Sequence, residues 1–237
     1  MSIYREELLL RSKDVDMYRR LRTSRLFELF QEASIRHTEQ LGMGREKTLD
    51  RGLLWIVTLQ EAEIARMPVY DETITLVSWP GETMHLFFPR YYRVLSETGE
   101  CLITGSAMWM LIESESRKMV FPDRHGIAIE GVKTGHECAL PSPVGRVEGS
   151  ESSTFTVPYS YVDLNGHMNN TRYFDLTEDL LGAAAAGREL RRIRAEYLQE
   201  VRLGDTLAVS WGRADGESFR VEGRTQKPCY RMELMYN

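Results

Sequence analysis

Asp163, Asn165, His167 and Glu200 are the residues of this chain whose types suit chemistry. Asp163 and Glu200 can supply a general base or orient one. Asn165 and His167 can polarise a carbonyl or position a water. A helix beginning near Asn170 offers backbone N–H groups and the positive end of its dipole to a developing oxyanion. The plainer reading is that Asp163 and Asn165 make turns, and that Asn169 or Asn170 caps the helix.

An altered copy of this stretch lies near the N-terminus. Offset by 147 residues, Asp163 falls on Asp16, Arg172 on Arg25 and Phe174 on Phe27, with no gap. Further on the offset becomes 133, with Ala195-Glu196 on Ala62-Glu63 and Glu200 on Met67. A shorter helix-to-strand connection in the second copy accounts for the change. The first copy has Tyr18 where Asn165 stands and Arg20 where His167 stands. One copy is equipped for chemistry and the other reads as its structural twin. The period is too long for a solenoid repeat. Asp16, without those partners, reads as a loop residue kept for structure.

These groups must be positioned by folded elements, and the composition supports a globular chain. The sequence has 237 residues, 42% hydrophobic and 27% charged. A net charge of -5 gives no case for nucleic acid. No apolar run approaches the roughly 18 residues that span a bilayer, so no membrane insertion is expected. The acidic start, Met1-Ser-Ile-Tyr-Arg-Glu-Glu, is unlike a signal peptide. Cys101, Cys138 and Cys229 are too few and too scattered for a disulfide framework, which points to a reduced, cytoplasmic setting. His37, His85, His125 and His136 show no metal-ligand spacing, so no metal and no other cofactor is expected.

Each copy reads as a strand, one long helix and a meander of strands. In the first, Tyr4–Leu10 is a strand, and Thr23 or Ser24 caps a helix that stops at Gly42. Strands follow at Leu53–Ala65, Thr73–Trp79, Phe87–Leu95 and Leu102–Ile112. In the second, the order is Thr154–Pro158, a helix over Thr171–Ala186, then Ile193–Glu200, Thr206–Trp211, Phe219–Arg224 and Tyr230–Met235. Between them Pro122, Pro141 and Pro143, with Gly126, Gly131, Gly135, Gly145 and Gly149, mark a crossing connection. The units are therefore residues 1–121 and 153–237, joined by a linker over 122–152. The class is α+β, a helix wrapped by an antiparallel sheet, twice over. Two tandem copies can pair edge to edge and remove one exposed edge from each.

At these residues the chain resembles the acyl-ACP thioesterases of plant plastids and bacteria. Their pattern is Asp-x-Asn-x-His-x-Asn-Asn with an aromatic three residues later, here Asp163, Asn165, His167, Asn169, Asn170 and Tyr173. A second signature, Glu-Tyr-x-x-Glu, is matched by Glu196-Tyr197-Leu198-Gln199-Glu200. Through the duplication, the resemblance covers nearly the whole chain. It implies a tandem double hotdog fold and hydrolysis of fatty acyl-ACP to a free fatty acid, without a cofactor. The implied catalytic set is Asp163, Asn165, His167 and Glu200, with Asn169 and Asn170 on the substrate. The first unit would then set acyl-chain selectivity, and Leu26, Phe27 and Phe30 on its helix either touch the acyl chain or are plain core. Plant relatives carry a Cys after the second Glu, where this chain has Val201. A base-activated water is therefore expected instead of a Cys–His pair.

Arg188, Arg191, Arg192 and Arg194 form a basic run, with Arg19, Arg20, Arg22 and Arg25 at the matching place in the first unit. They are either docking cations for an acidic carrier or a solvated face. The partner expected is acyl carrier protein, with the chain a monomer or homodimer. Other readings on this fold are an acyl-CoA thioesterase and a non-catalytic acyl-thioester sensor. A sensor would lose the polar set in both copies, and here one copy keeps it.

Overall fold

The computed structural model describes residues 3–136, 138–148 and 151–237; Met1, Ser2 and the linker glycine Gly149 lie outside them. The first unit runs β1 (Tyr4–Leu9), α1 (Thr23–Gln40), β2 (Leu53–Ile64), β3 (Thr73–Pro80), β4 (Phe87–Ser96) and β5 (Cys101–Glu113). The second runs β6 (Glu151–Thr156), α2 (Arg172–Ala185), β7 (Leu190–Tyr197), β8 (Thr206–Arg213), β9 (Ser218–Arg224) and β10 (Pro228–Tyr236). All ten strands form one antiparallel sheet in the order β1-β3-β4-β5-β2-β7-β10-β9-β8-β6. Read inward from either edge, the two halves have the same order. This is the double hotdog.

The seam is the pairing of β2 with β7, where Glu61 lies opposite Arg194. Those two positions are also equivalent under the offset of 133, so the pseudo-two-fold axis passes between them. The equivalence extends to single hydrogen bonds. The Asp16 N–H donates to the Arg20 carbonyl as the Asp163 N–H does to that of His167. The Leu21 N–H donates to the Pro68 carbonyl as the Met168 N–H does to that of Val201. Arg19 and Gly166 both take positive φ, 64° and 78°, at the tip of the matching turn. The helix-to-strand connection is Leu41–Gly52 in the first unit, with two 3-10 turns, and only Ala186–Glu189 in the second.

The two helices share a core. Leu26, Phe27, Phe30 and Ala33 on α1 are fully buried. Phe27 stacks on Phe174 of α2 with ring centroids 4.1 Å apart, and Phe30 stacks on Tyr92 of β4 at 4.2 Å. Phe27→Ala should therefore cost about 3–5 kcal/mol of stability, read as a lower urea midpoint with an unchanged slope.

Two local expectations change. Thr23 and Ser24 do not cap α1: both are buried in its first turn, Arg22 holds the cap position without a side-chain bond, and the Thr23 hydroxyl donates to Glu178 of α2 at 2.5 Å. β7 stops at Tyr197 and does not run to Glu200. The Leu198 and Gln199 N–H groups both turn to the Cys229 carbonyl, which ends the ladder. The same happens at Ala65 and Arg66, which share the Leu102 carbonyl.

The linker straps the outer face of the sheet. The Val132 N–H donates to the Pro80 carbonyl, His136 meets Arg93 of β4, and Ser142 donates twice to Glu61 of β2. Among the described residues no helix is long and apolar enough to cross a membrane, and no cluster of His, Cys, Asp and Glu is arranged to hold a metal.

Candidate active site

The turn over Asp163–His167 is built by its own backbone. Asp163 Oδ1 accepts the Asn165 N–H at 2.8 Å, the Asp163 N–H reaches the His167 carbonyl at 2.9 Å, and Gly166 supplies the positive φ. The Met168 N–H then donates to the Val201 carbonyl at 2.7 Å, and His167 bridges to Arg202. These bonds pin the turn against the segment that follows β7. His167 Nε2 comes to 3.3 Å from Glu200 Oε2. The other Glu200 oxygen is held by Arg117, which reaches across from a turn of the first unit at φ 57°.

The imidazole side chain is 15% exposed and Glu200 37%. Glu200 is thus at the surface end of the pair. Burial, then the guanidinium groups of Arg117 and Arg202, hold the His167 imidazole below its ordinary range, against a pull from Asp163. A neutral imidazole facing Glu200 keeps its proton on Nε2 and presents the Nδ1 lone pair as the base.

The remaining predicted site residues divide. Asn165 is exposed at the turn, and its side-chain amide has no protein partner among the described residues, so it can still donate to a substrate carbonyl. Asn169 is occupied: its Oδ1 accepts both the N–H and the hydroxyl of Thr171 at the start of α2. The carbonyl of Asn170 takes the Tyr197 hydroxyl. The N–H groups of Arg172 and Phe174 are bonded to preceding carbonyls, so the start of α2 is largely satisfied by its own chain. Val201 is buried in the core and offers no chemistry.

Beside the turn lies an apolar cavity of about 310 Å³. Its walls include Ser34 and Ile35 of α1, Leu49 of the long connection, Trp55 of β2, Phe88 of β4, Trp109 of β5 and, from the Asp163–His167 turn, Leu164. Arg90 closes one side, fully buried, with Nη2 at 2.6 Å from His37 Nδ1 and Nε on Ser78. Leu26, Phe27 and Phe30 are not in this lining and pack in the core, because they lie on the side of α1 turned to α2 and β4. The first unit does wall the cavity, but through residues further along α1.

The arginine run is at the wrong end for this site. Arg188 and Arg191 lie at the start of β7, and Glu200 lies beyond its end, nine residues or about 30 Å along an extended chain from Arg191. Arg188 pairs with Glu217, Arg191 with Glu189 and Arg192 with Glu61, while Arg19 sits over Tyr70 in the first-copy turn. Sequence reasoning missed Arg117 and Arg202. Neither belongs to a motif, and only the fold brings the β5 turn of one unit to the loop of the other.

Residues 1–123 match the acyl-ACP thioesterase N-terminal domain, and residues 145–227 match its C-terminal domain. The chain belongs to the acyl-ACP thioesterase family. It is 25% identical over 224 residues to the chloroplastic acyl-[acyl-carrier-protein] hydrolase FATB3 of Cuphea viscosissima, covering 86% of this chain and 53% of that protein. It thus spans about half the length of the curated relatives it matches. The structure superposes on an acyl-ACP thioesterase from Bacteroides thetaiotaomicron with a TM-score of 0.84 at 22% identity, covering 99% of this chain and 98% of that one. It superposes on the 12:0-ACP thioesterase from Umbellularia californica with a TM-score of 0.82 at 18% identity, over 99% and 97% of the two chains. At these identities the superpositions establish the shared fold.

Proposed function

We propose that this chain hydrolyses the thioester of a fatty acyl-[acyl carrier protein], releasing the free acid. The observation that carries the proposal is the His167–Glu200 pair, which adjoins an apolar cavity within the usual range for ligand sites. His167 Nδ1 takes a proton from a water as it attacks the thioester carbonyl, and the imidazolium gives that proton to the leaving carrier thiol as the tetrahedral intermediate collapses and the C–S bond breaks. Glu200, fixed by Arg117, keeps the imidazole in register and stabilises the imidazolium that forms. The Asn165 amide donates to the oxyanion. Asp163 holds the turn through the Asn165 N–H. The unit over 153–237 supplies the base and the unit over 1–121 supplies the acyl wall, so a single chain makes a complete site, whether it is a monomer or a homodimer.

The names of the curated relatives favour the carrier-bound substrate over acyl-CoA. We assign carrier docking to three exposed cations: Arg45, which lines the cavity and also pairs with Asp50, Lys47 two residues on, and Arg202, bridged to His167. The three cysteines are unpaired, as suits a reducing cytoplasm.

Release of free acid from acyl-ACP and acyl-CoA panels of graded chain length tests the assignment, and absence of hydrolysis on both would end it. Arg45→Glu with Lys47→Glu should raise the KM for acyl-ACP several-fold and flatten its salt dependence, leaving short acyl-CoA nearly unchanged. Equal effects on the two substrates would remove the docking role.

A further inference from the structure

The duplication that built the apolar cavity built a second one. A cavity of about 830 Å³ lies at the opposite end of the β2–β7 seam. Part of its wall is the pseudo-symmetry mate of the first. Gly182 and Ala185 of α2 stand where Ile35 and Thr38 of α1 stand, Met17 stands for Leu164, and Tyr236 of β10 stands for Trp109 of β5. At the reacting end, Arg20 replaces His167, Met67 replaces Glu200, and Arg188 replaces Trp55.

Those exchanges change what the cavity can do. The imidazole is gone and so is the carboxylate that would orient it, so the His–Glu pair of the first site has no counterpart here. Two guanidinium groups stand at the head instead. Arg20 is only partly spent: Nε and Nη2 lie 3.3 Å from Asp16, and Nη1 donates to the Arg188 carbonyl at 2.7 Å. A guanidinium has five N–H donors, so one remains on each terminal nitrogen. Asp16 also receives the Tyr18 and Arg20 backbone N–H groups, which stabilises it as a support for the arginine. Glu178, half-buried at the rim, has its carboxyl raised to about 7, chiefly by desolvation. Beyond the head, apolar side chains (Leu21, Val69, Leu190) and the small residues of a kinked α2, whose Gly182 leaves the helical conformation, alternate with charged groups that include Arg66, Asp179 and Glu189.

We propose that this second cavity is a binding site for a long-chain carboxylate, held at Arg20 and not hydrolysed. The choice of an acyl-chain ligand rests on reading the first cavity as the acyl slot. The head chemistry, a carboxylate on guanidinium N–H groups, is independent of that reading.

The probes are dodecanoate below its micelle concentration and a dodecanoate carrying a photoreactive group near its tail. Two molecules should bind per chain. Arg20→Leu should weaken one class of site about tenfold or more, and Ala185→Trp should block that class, with hydrolysis of acyl-ACP retained in both. Photo-adducts on the wild-type protein should map to residues 65–69 and 182–191 as well as to 34–49. That readout does not depend on any variant folding. A stoichiometry of one, or adducts confined to 34–49, would overturn the proposal. Two bound carboxylates on a chain that hydrolyses no thioester would support this site and overturn the enzymatic reading alone.

Discussion

His167→Ala should lower kcat/KM for acyl-ACP by on the order of a hundredfold or more, with an unchanged melting curve. The loss is large because, of the titratable groups at the site, the imidazole is the one whose lone pair is not already engaged by a bond among the described residues. Glu200 is taken up by Arg117 and His167, and Asp163 by the Asn165 N–H. The imidazole acts in its neutral form. Its pKa lies below the ordinary histidine range, so activity should be full at neutral pH and fall only as the pH drops through that lowered value. Asn165→Ala should give a loss of similar order, since the amide has no structural bond to lose. Quenched reactions should carry no acyl group on protein. An acyl adduct trapped on Asp163 by mass spectrometry would replace the water mechanism with a carboxylate nucleophile.

Arg117→Met should cost about tenfold or more in kcat with little change in KM, because it frees Glu200 without touching the acyl wall. The direction of the pH effect distinguishes this from a loss of stability. Removing a guanidinium beside His167, and uncovering the charge of Glu200, both favour the imidazolium. The acid limb of the kcat/KM profile should therefore move to higher pH. Arg117→Lys should recover part of the rate and most of the limb. An Arg117→Met enzyme with reduced rate and an unmoved limb would show that Arg117 serves the fold and not the imidazole.

The fold was legible because the duplication was. A gap-free match of Asp16 to Asp163 and Phe27 to Phe174, then Ala62 to Ala195, led to two helix-and-meander units joined at strand edges. Strand periodicity placed the elements to within a few residues. The errors have local causes. Thr23 looks like a cap because threonine often is one, but its hydroxyl is used between the two helices. Glu200 looks like a strand residue because the apolar pattern continues past it, but a shared carbonyl ends the ladder first. His167 and Glu200 were legible as a pair through their motifs. Arg117 was not, since nothing in a turn of Ser, Arg and Lys announces a contact more than eighty residues away. The arginine run misled because residue type says nothing about which end of a strand faces the site. Likewise Leu26, Phe27 and Phe30 share a helix with the cavity wall, and only packing decides which turn of that helix is lined up with the substrate.

The Glu61–Arg194 register pair on the pseudo-two-fold axis bears on the ancestry of the chain. In a dimer of identical half-length chains, a position on the axis faces its own copy, so a glutamate there would meet a glutamate and an arginine an arginine. Like charges directly opposite one another weaken a strand pair. Opposite charges on the axis require that the two halves be encoded separately enough to mutate independently, as they are in a tandem duplication. There one codon change no longer alters both halves at once. A free half of the present chain, paired with a second copy of itself, would bring like charges together at its centre, so either half alone disfavours the symmetric dimer, whereas the two halves together keep the opposite charges.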